Sequence, residues 1–323
     1  MGKMAKEVRI MTAARMAAEM LLMVMVGIAV GKLGIVKEDF SAQLTGLVTD
    51  ICLPCLILYS FWTDFSFDDL VNCRTLLLLS VLELILGFLA GAVFIKLFHN
   101  SESGRVMRLG CMFTNFTFIG IPLMESLFGE SILLYCMIFL LPVRLGLYSL
   151  PQLLLLSPER RAQMTHRPFS QLAREFLSPP IAALLLGILM YLSGWRFPAI
   201  ISDVVAMLKS LCAPLGMLLC GISLAPLHFR EIFRPSCIPF TLVRTLLLPV
   251  FLFLTCISFG ITGSVRATAV FCVACPCASL VVPLTIRYGS EPSSQHIAGS
   301  CVFLSTLLSV ATIPLWDALL NYF

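Results

Sequence analysis

Charge is what this chain has least of. Asp, Glu, Lys and Arg make up 12% of its 323 residues, about half the share of an average soluble domain. So few ionic groups cannot hold a chain of this length in water, so lipid is its solvent over most of its area. Other absences narrow the reading further. The apolar runs are continuous and show no alternation of polarity, which argues against a β-barrel. No Walker, kinase or metal-ligand spacing occurs, so no ATP-driven pump, metal or other cofactor is expected. The 13 cysteines fit no disulfide or zinc framework. Most, such as Cys111, Cys136, Cys256 and Cys301, lie in apolar runs and read as small hydrophobes. The net charge of +4 sits in short loops. No basic stretch with interleaved aromatics tracks phosphates, so nucleic acid is not a partner. The first apolar run is long and has no Ala-x-Ala exit, so it does not read as a cleaved signal peptide.

What is present is hydrophobic: 59% of the residues, with a mean hydropathy of +0.97. A helix needs roughly 20 apolar residues to cross the hydrocarbon core. About ten such stretches can be drawn, near 16–34, 42–62, 75–97, 106–128, 132–154, 177–194, 202–224, 237–260, 264–286 and 296–320. The expected fold is therefore an all-α, multi-pass protein of the cell (plasma or inner) membrane. Lys and Arg in short loops mark the cytoplasmic face. One set of alternate loops holds Lys32, Lys37, Lys96, Arg105, Arg108, Arg160, Arg161, Arg167, Arg174, Arg230, Arg234 and Arg287. The other set holds Arg74, Arg196, Lys209 and Arg266 beside the acidic Asp64, Asp68 and Asp69. The first set is placed in the cytoplasm, with both termini outside. The basic N-terminal stretch Lys3, Lys6, Arg9 and Arg15 opposes that orientation, and the loop majority is followed.

The second half restates the first. Pro214 follows Pro54 by 160 positions, and Gly187, Gly194 and Gly289 follow Gly27, Gly34 and Gly129 by the same offset. Matched interruptions of apolar segments in two halves mark a secondary transporter built from inverted repeats. The expected organisation is a basic extension at 1–15, a five-helix repeat at 16–156, a cytoplasmic connector at 157–176 and a second repeat at 177–323.

Two segments carry the chemistry. The fourth contains Thr114-Asn115-Phe116-Thr117-Phe118-Ile119-Gly120-Ile121-Pro122, and the ninth contains Cys275-Pro276-Cys277-Ala278-Ser279, with Pro283 beyond. Proline removes a donor and clashes with the preceding turn, and glycine loosens the helix. Irregular backbone survives in lipid only when buried in protein or lining a cavity. Both segments are expected to unwind near mid-membrane and cross, pointing free N–H groups and positive dipole ends at one site. That arrangement binds an anion without a cation, and Asn115, Thr117 and Ser279 would add directional hydrogen bonds. An ordinary proline kink is the plainer reading. Its occurrence at matched places in both halves favours the site.

Asn115-x4-Gly120-Ile121-Pro122-Leu123, continued by Leu127-Phe128-Gly129-Glu130, resembles the fourth-helix motif of the auxin efflux carrier superfamily. That family includes plant PIN auxin exporters and bacterial malate-permease-like proteins. Leu53-Pro54-x-Leu56-Ile57 is similar to its second helix and Ala213-Pro214…Gly221-Ile222-Ser223-Leu224 to its seventh. Pro276 falls where its ninth-helix crossover proline would. The resemblance runs from about residue 17 to the end. It implies a bile-acid-transporter-like fold of two inverted five-helix repeats. It also implies a scaffold part (helices 1, 2, 6, 7), a transport part (3, 4, 5, 8, 9, 10) and elevator movement. The chain departs from the family in its N-terminal extension, in the cysteines flanking Pro276, in Pro283 and in Arg287.

Among the ionisable residues within apolar spans, Asp50, Glu83, Arg144 and Arg244 are singled out. A charge at a helix centre costs about 2.5–3.5 kcal/mol on insertion scales, so each needs a partner or water. One role is to support the site or couple transport to H+ or Na+. The other is a fixed ion pair, or snorkelling for Arg244. Glu125, just past the motif, reads as a solvated loop acid.

The function expected is a permease, not an enzyme. It moves a small organic anion, a carboxylate such as a dicarboxylate or an auxin-like acid, by alternating access. The expected substrate-binding residues are Thr114, Asn115, Thr117, Gly120, Pro122, Cys275, Pro276, Cys277 and Ser279. Besides the solute and the bilayer, a second copy of the chain is a candidate partner. The alternatives are a channel and a membrane thiol oxidoreductase using Cys52 and Cys55. The matching position in the second half keeps Pro214 but has Leu215 in place of the second cysteine, so the repeat requires the kink and not the dithiol.

Overall fold

The computed structural model describes residues 15, 18, 19, 21–36, 40–62, 67–99, 101–155, 179–225, 233–289 and 292–320. The connector at 157–176 and nearly all of the N-terminal extension lie outside the described residues, as do Lys37, Asp64 and Arg230. Among those described, every regular element is a helix and no strand occurs.

Helix α1 covers Leu21–Lys32. Helix α2 begins as Phe40–Leu47, widens into a π turn at Val48–Cys52 and continues as Leu53–Ser60. Pro54 stands in the first turn of that second part, where the widened turn before it accommodates the N–H that proline lacks. Helix α3 spans Phe67–Leu97. The fourth segment is split into α4a (Glu102–Met112) and α4b (Ile121–Phe128), the latter entered through a π turn at Phe116–Gly120. Helices α5 (Ile132–Leu155), α6 (Pro179–Ser193), α7 (Ala199–Leu224) and α8 (Pro235–Ser258) follow. The ninth segment is split in turn into α9a (Gly263–Ala274) and α9b (Val281–Tyr288), and α10 (Pro292–Leu320) closes the chain.

Among the described residues, four helices are long and apolar enough, by length and composition, to cross a membrane: parts of α3 (Asn72–Leu97) and α7 (Ala199–Leu219), α8, and α10 (Ser293–Leu320). The fourth and ninth segments do not qualify as single spans because each is interrupted.

The molecule is arranged for an apolar solvent. Leu78, Ile85, Leu89 and Val93 of α3 face outward, as do Ile200, Val204 and Met207 of α7 and Phe251 and Leu254 of α8. Hydroxyls are kept inside: Ser80, Thr241, Thr245, Thr268, Ser300 and Ser305 are all buried. In lipid, helices associate through close packing and interhelical hydrogen bonds rather than through the hydrophobic effect. Small residues supply the closeness. A Cβ added to Gly221 of α7 would lie 2.1 Å from the Val24 carbonyl oxygen and 2.7 Å from Gly27 Cα of α1. On α3, a Cβ at Gly87 would meet the Cys111 carbonyl oxygen at 2.6 Å, and one at Gly91 would meet Arg108 Cα at 2.5 Å. These glycines let α4a lie directly on α3, which holds the first half of the broken segment in place.

Candidate functional site

Both breaks have local causes. Cys275 precedes a proline, a position that disfavours the α region, and its backbone is extended (φ −62°, ψ 148°). Helix α4a stops at Phe113, also extended (φ −121°, ψ 127°), and Pro122 opens α4b where no backbone donor is needed. Between the helix pieces the two strands of backbone pair with each other. The Asn115 amide donates to the Pro276 carbonyl at 2.8 Å, and the Ala278 amide to the Phe113 carbonyl at 3.0 Å. Thr114 and Cys277 form an isolated antiparallel bridge between them. The Cys277 amide donates to Ser305 Oγ of α10 at 3.0 Å.

This geometry refines one expectation. The amides of Asn115, Cys277 and Ala278 are taken by the protein itself, because an unpaired amide in lipid costs several kcal/mol and the opposite break is its nearest partner. Those without a main-chain acceptor among the described residues lie one step further on: Thr117 and Phe118 entering α4b, and Ser279 and Leu280 entering α9b.

Beside the crossing lies a small cavity of ≈ 30 Å³. Its polar wall is Thr49, Thr114, Asn115, Thr117 and Ser279, with the Arg144 side chain of α5 adding a positive charge. Leu53, Phe118, Leu147 and Leu280 form the apolar wall. Asn115 is 3% exposed and Ser279 5% exposed, yet Asn115 Nδ2 and Ser279 Oγ have no hydrogen-bond partner among the described residues. A buried polar atom left unpaired costs about 1–3 kcal/mol, and here two of them line one cavity.

The predicted site residues divide into two groups. Thr114, Asn115, Thr117 and Ser279 line the cavity. Cys275, Pro276 and Cys277 are buried and build the crossing instead, while Gly120 packs its backbone against the Phe116 ring and Pro122 starts α4b. Among the intramembrane charges, Arg144 is 6% exposed and its Nη1 reaches Met137 Sδ at 3.6 Å. Arg244 does not snorkel. It is fully buried in the π turn Val243–Leu247 of α8, 3.5 Å from Glu83 Oε1 of α3. Its Nη1 donates to the Cys111 carbonyl at 3.2 Å. A cation there meets the negative end of α4a, so this pair braces the half-helix behind the crossing. Asp50 is exposed in the π turn of α2, accepts from Thr49 Oγ1 at 3.2 Å and does not line the cavity. Cys52 is buried and Cys55 half-buried within the same helix.

Three features escaped the sequence reading. Thr49 and Leu53 bring α2 to the cavity; the polar pair Thr49-Asp50 just before Pro54 was the available signal. Ser305 pairs with the crossing from α10, where a run of hydroxyls (Ser300, Ser305, Thr306, Ser309) stood out. Glu125 is not a solvated loop acid: it belongs to α4b and its Oε1 lies 2.7 Å from Lys209 Nζ of α7. A lysine and a glutamate 84 positions apart carry no local signature of that contact.

Comparison with known proteins agrees with these elements. The family model for membrane transport proteins matches residues 13–317. An uncharacterized transporter of Methanothermobacter thermautotrophicus is 26% identical over 309 residues, covering 93% of this chain and 96% of the relative. With the broken, crossing segments and the motif around Asn115, the match establishes that this chain belongs to the membrane transport protein family, the auxin efflux carrier superfamily that its sequence resembles.

Proposed function

We propose that this protein is a secondary transporter that carries a small organic anion, a carboxylate, across the cell membrane by alternating access. The observation that carries the reading is the cavity at the crossing. Two buried donors without partners, Asn115 Nδ2 and Ser279 Oγ, share it with the Arg144 cation and the amides that open α4b and α9b. Donors, a positive charge and two helix N-termini suit a carboxylate. Apolar side chains opposite, Leu53, Phe118, Leu147 and Leu280, suit its carbon body.

The reading includes ten crossings in two inverted repeats, 16–156 and 177–323. Matched local geometry supports this. Gly34 and Gly194 end α1 and α6 with φ of 66° and 67°. Gly129 and Gly289 end α4b and α9b, their amides donating to the Glu125 and Thr285 carbonyls at 2.8 Å each. Both partners in each comparison are 160 positions apart. An elevator movement fits the cavity's position, since Thr49 and Leu53 come from the scaffold helix α2 and most of the remaining wall from the transport helices. In this reading Glu83 and Arg244 support the site, H+ or Na+ drives uptake, and both termini lie outside.

Purified protein in liposomes should take up a labelled carboxylate at a rate that saturates with concentration. Uptake rising linearly without saturation would point to a channel, and no uptake of any carboxylate would remove the anion assignment.

A further inference from the structure

The seam that holds the cavity ends in a cluster of charges. On one side of the seam, α2 and α7 supply Tyr59 and Lys209. On the other, α4b and the turn after it supply Glu125 and Glu130. Lys209 Nζ lies 2.7 Å from Glu125 Oε1 and 3.9 Å from Glu130 Oε1. It also sits 3.8 Å from the centre of the Tyr59 ring, and the Tyr59 hydroxyl donates to Glu130 Oε1 at 3.0 Å. The Lys209 side chain is 13% exposed and that of Glu125 29%. An ion pair so placed is screened less than one on an open surface.

The same three elements meet again beside the cavity. Phe118, which lines the cavity, presses on α7 at Gly216, where an added Cβ would come within 2.4 Å of the ring. Leu53 of α2 is a cavity residue and Tyr59 lies six positions further along the same helix. The seam is therefore closed twice, by an apolar contact at the cavity and by the charge cluster beyond it. Two carboxylates share one ammonium, with a phenol hydroxyl and an aromatic face completing the set. The contact consists of ion pairs, a hydrogen bond and an aromatic face, so it can be broken and remade.

We propose that Lys209, Glu125, Glu130 and Tyr59 form the gate on the side of the membrane toward which α4b points, closed in this structure. The inference rests on the alternating-access reading and adds the residues that shut one entrance. When the transport part moves against the scaffold, the Lys209 contacts part and that entrance opens. With the gate closed, solute reaches the cavity from the other side.

The test is side-specific access to the cavity. Ser279→Cys places a reactive thiol on the cavity wall, and a membrane-impermeant maleimide is applied to each face, with the labelling of the parent protein subtracted. Adding Lys209→Met should raise labelling from the gated face about 10-fold, the factor for a loss of about 1.4 kcal/mol, and lower it from the opposite face. Glu125→Gln with Glu130→Gln should act in the same direction, and this variant decides the matter if Lys209→Met fails to fold. Unchanged labelling from both faces in a folded variant overturns the gate. The two readings separate cleanly: wild-type protein that transports no carboxylate defeats the anion assignment, whereas transport with an unaltered labelling pattern defeats only the gate.

Discussion

Removing one hydroxyl tests the crossing without touching either broken segment. Ser305 is buried on α10, accepts the Cys277 amide at 3.0 Å and donates its own proton to the Cys301 carbonyl at 2.6 Å. In Ser305→Ala, the buried Cys277 amide loses this acceptor. Taking the acceptor away from a buried donor costs about 1–3 kcal/mol. Alanine's better helix propensity returns about 0.5 kcal/mol, so the net loss should be about 0.5–2.5 kcal/mol. Ser305→Thr retains the oxygen and serves as the control for volume and β-branching. Equilibrium unfolding in mixed micelles gives both values. The expected order is wild type, then Ser305→Thr, then Ser305→Ala. If Ser305→Ala proves as stable as Ser305→Thr, or more so, Cys277 does not depend on α10 and the described anchoring of the ninth-segment break is wrong.

Three further outcomes follow from the packing and the charges. Glu83→Gln leaves Arg244 buried without a counter-charge and should destabilise the protein by about 3–5 kcal/mol. Adding Arg244→Met should recover part of that loss, a coupling that a double-mutant cycle in the same unfolding assay reads directly. Arg144→Gln should weaken carboxylate binding about 10- to 150-fold, the worth of a hydrogen bond to a charged group, with Arg144→Lys in between; thermal stabilisation by added carboxylate measures both. Gly221→Ala forces a methyl against the α1 backbone, which no rotamer change relieves, and should cost about 1–3 kcal/mol in the melting profile.

Much of this was legible in the sequence, and the boundary has a physical basis. Low charge and long apolar runs specify a helical membrane protein because lipid leaves the backbone few other options. The breaks were legible because Pro276, Gly120 and Pro122 act locally, through backbone rules that need no tertiary context. That Asn115, Thr117 and Ser279 would lie beside the breaks was legible because polar groups inside apolar runs stand out. What was hidden depends on contacts between distant segments. That the breaks pair with each other, Asn115 with Pro276 and Ala278 with Phe113, follows from the crossing and from nothing within either segment. The choice of Arg244 over Arg144 as the partner of Glu83 is likewise set by where α8 packs on α3. Lys209, assigned to a loop by charge counting, is held within α7 by a glutamate 84 positions away.

Asn115 is where these threads join, since its amide ties one break to the other and its side-chain nitrogen faces the cavity without a partner. Carboxylate uptake by liposomes containing Asn115→Ala, set against wild type at equal amounts of folded protein, is the most direct measurement. The account predicts that uptake is lost while expression and melting behaviour persist. Uptake at the wild-type rate would contradict it, and the cavity at the crossing would not be the route of the solute.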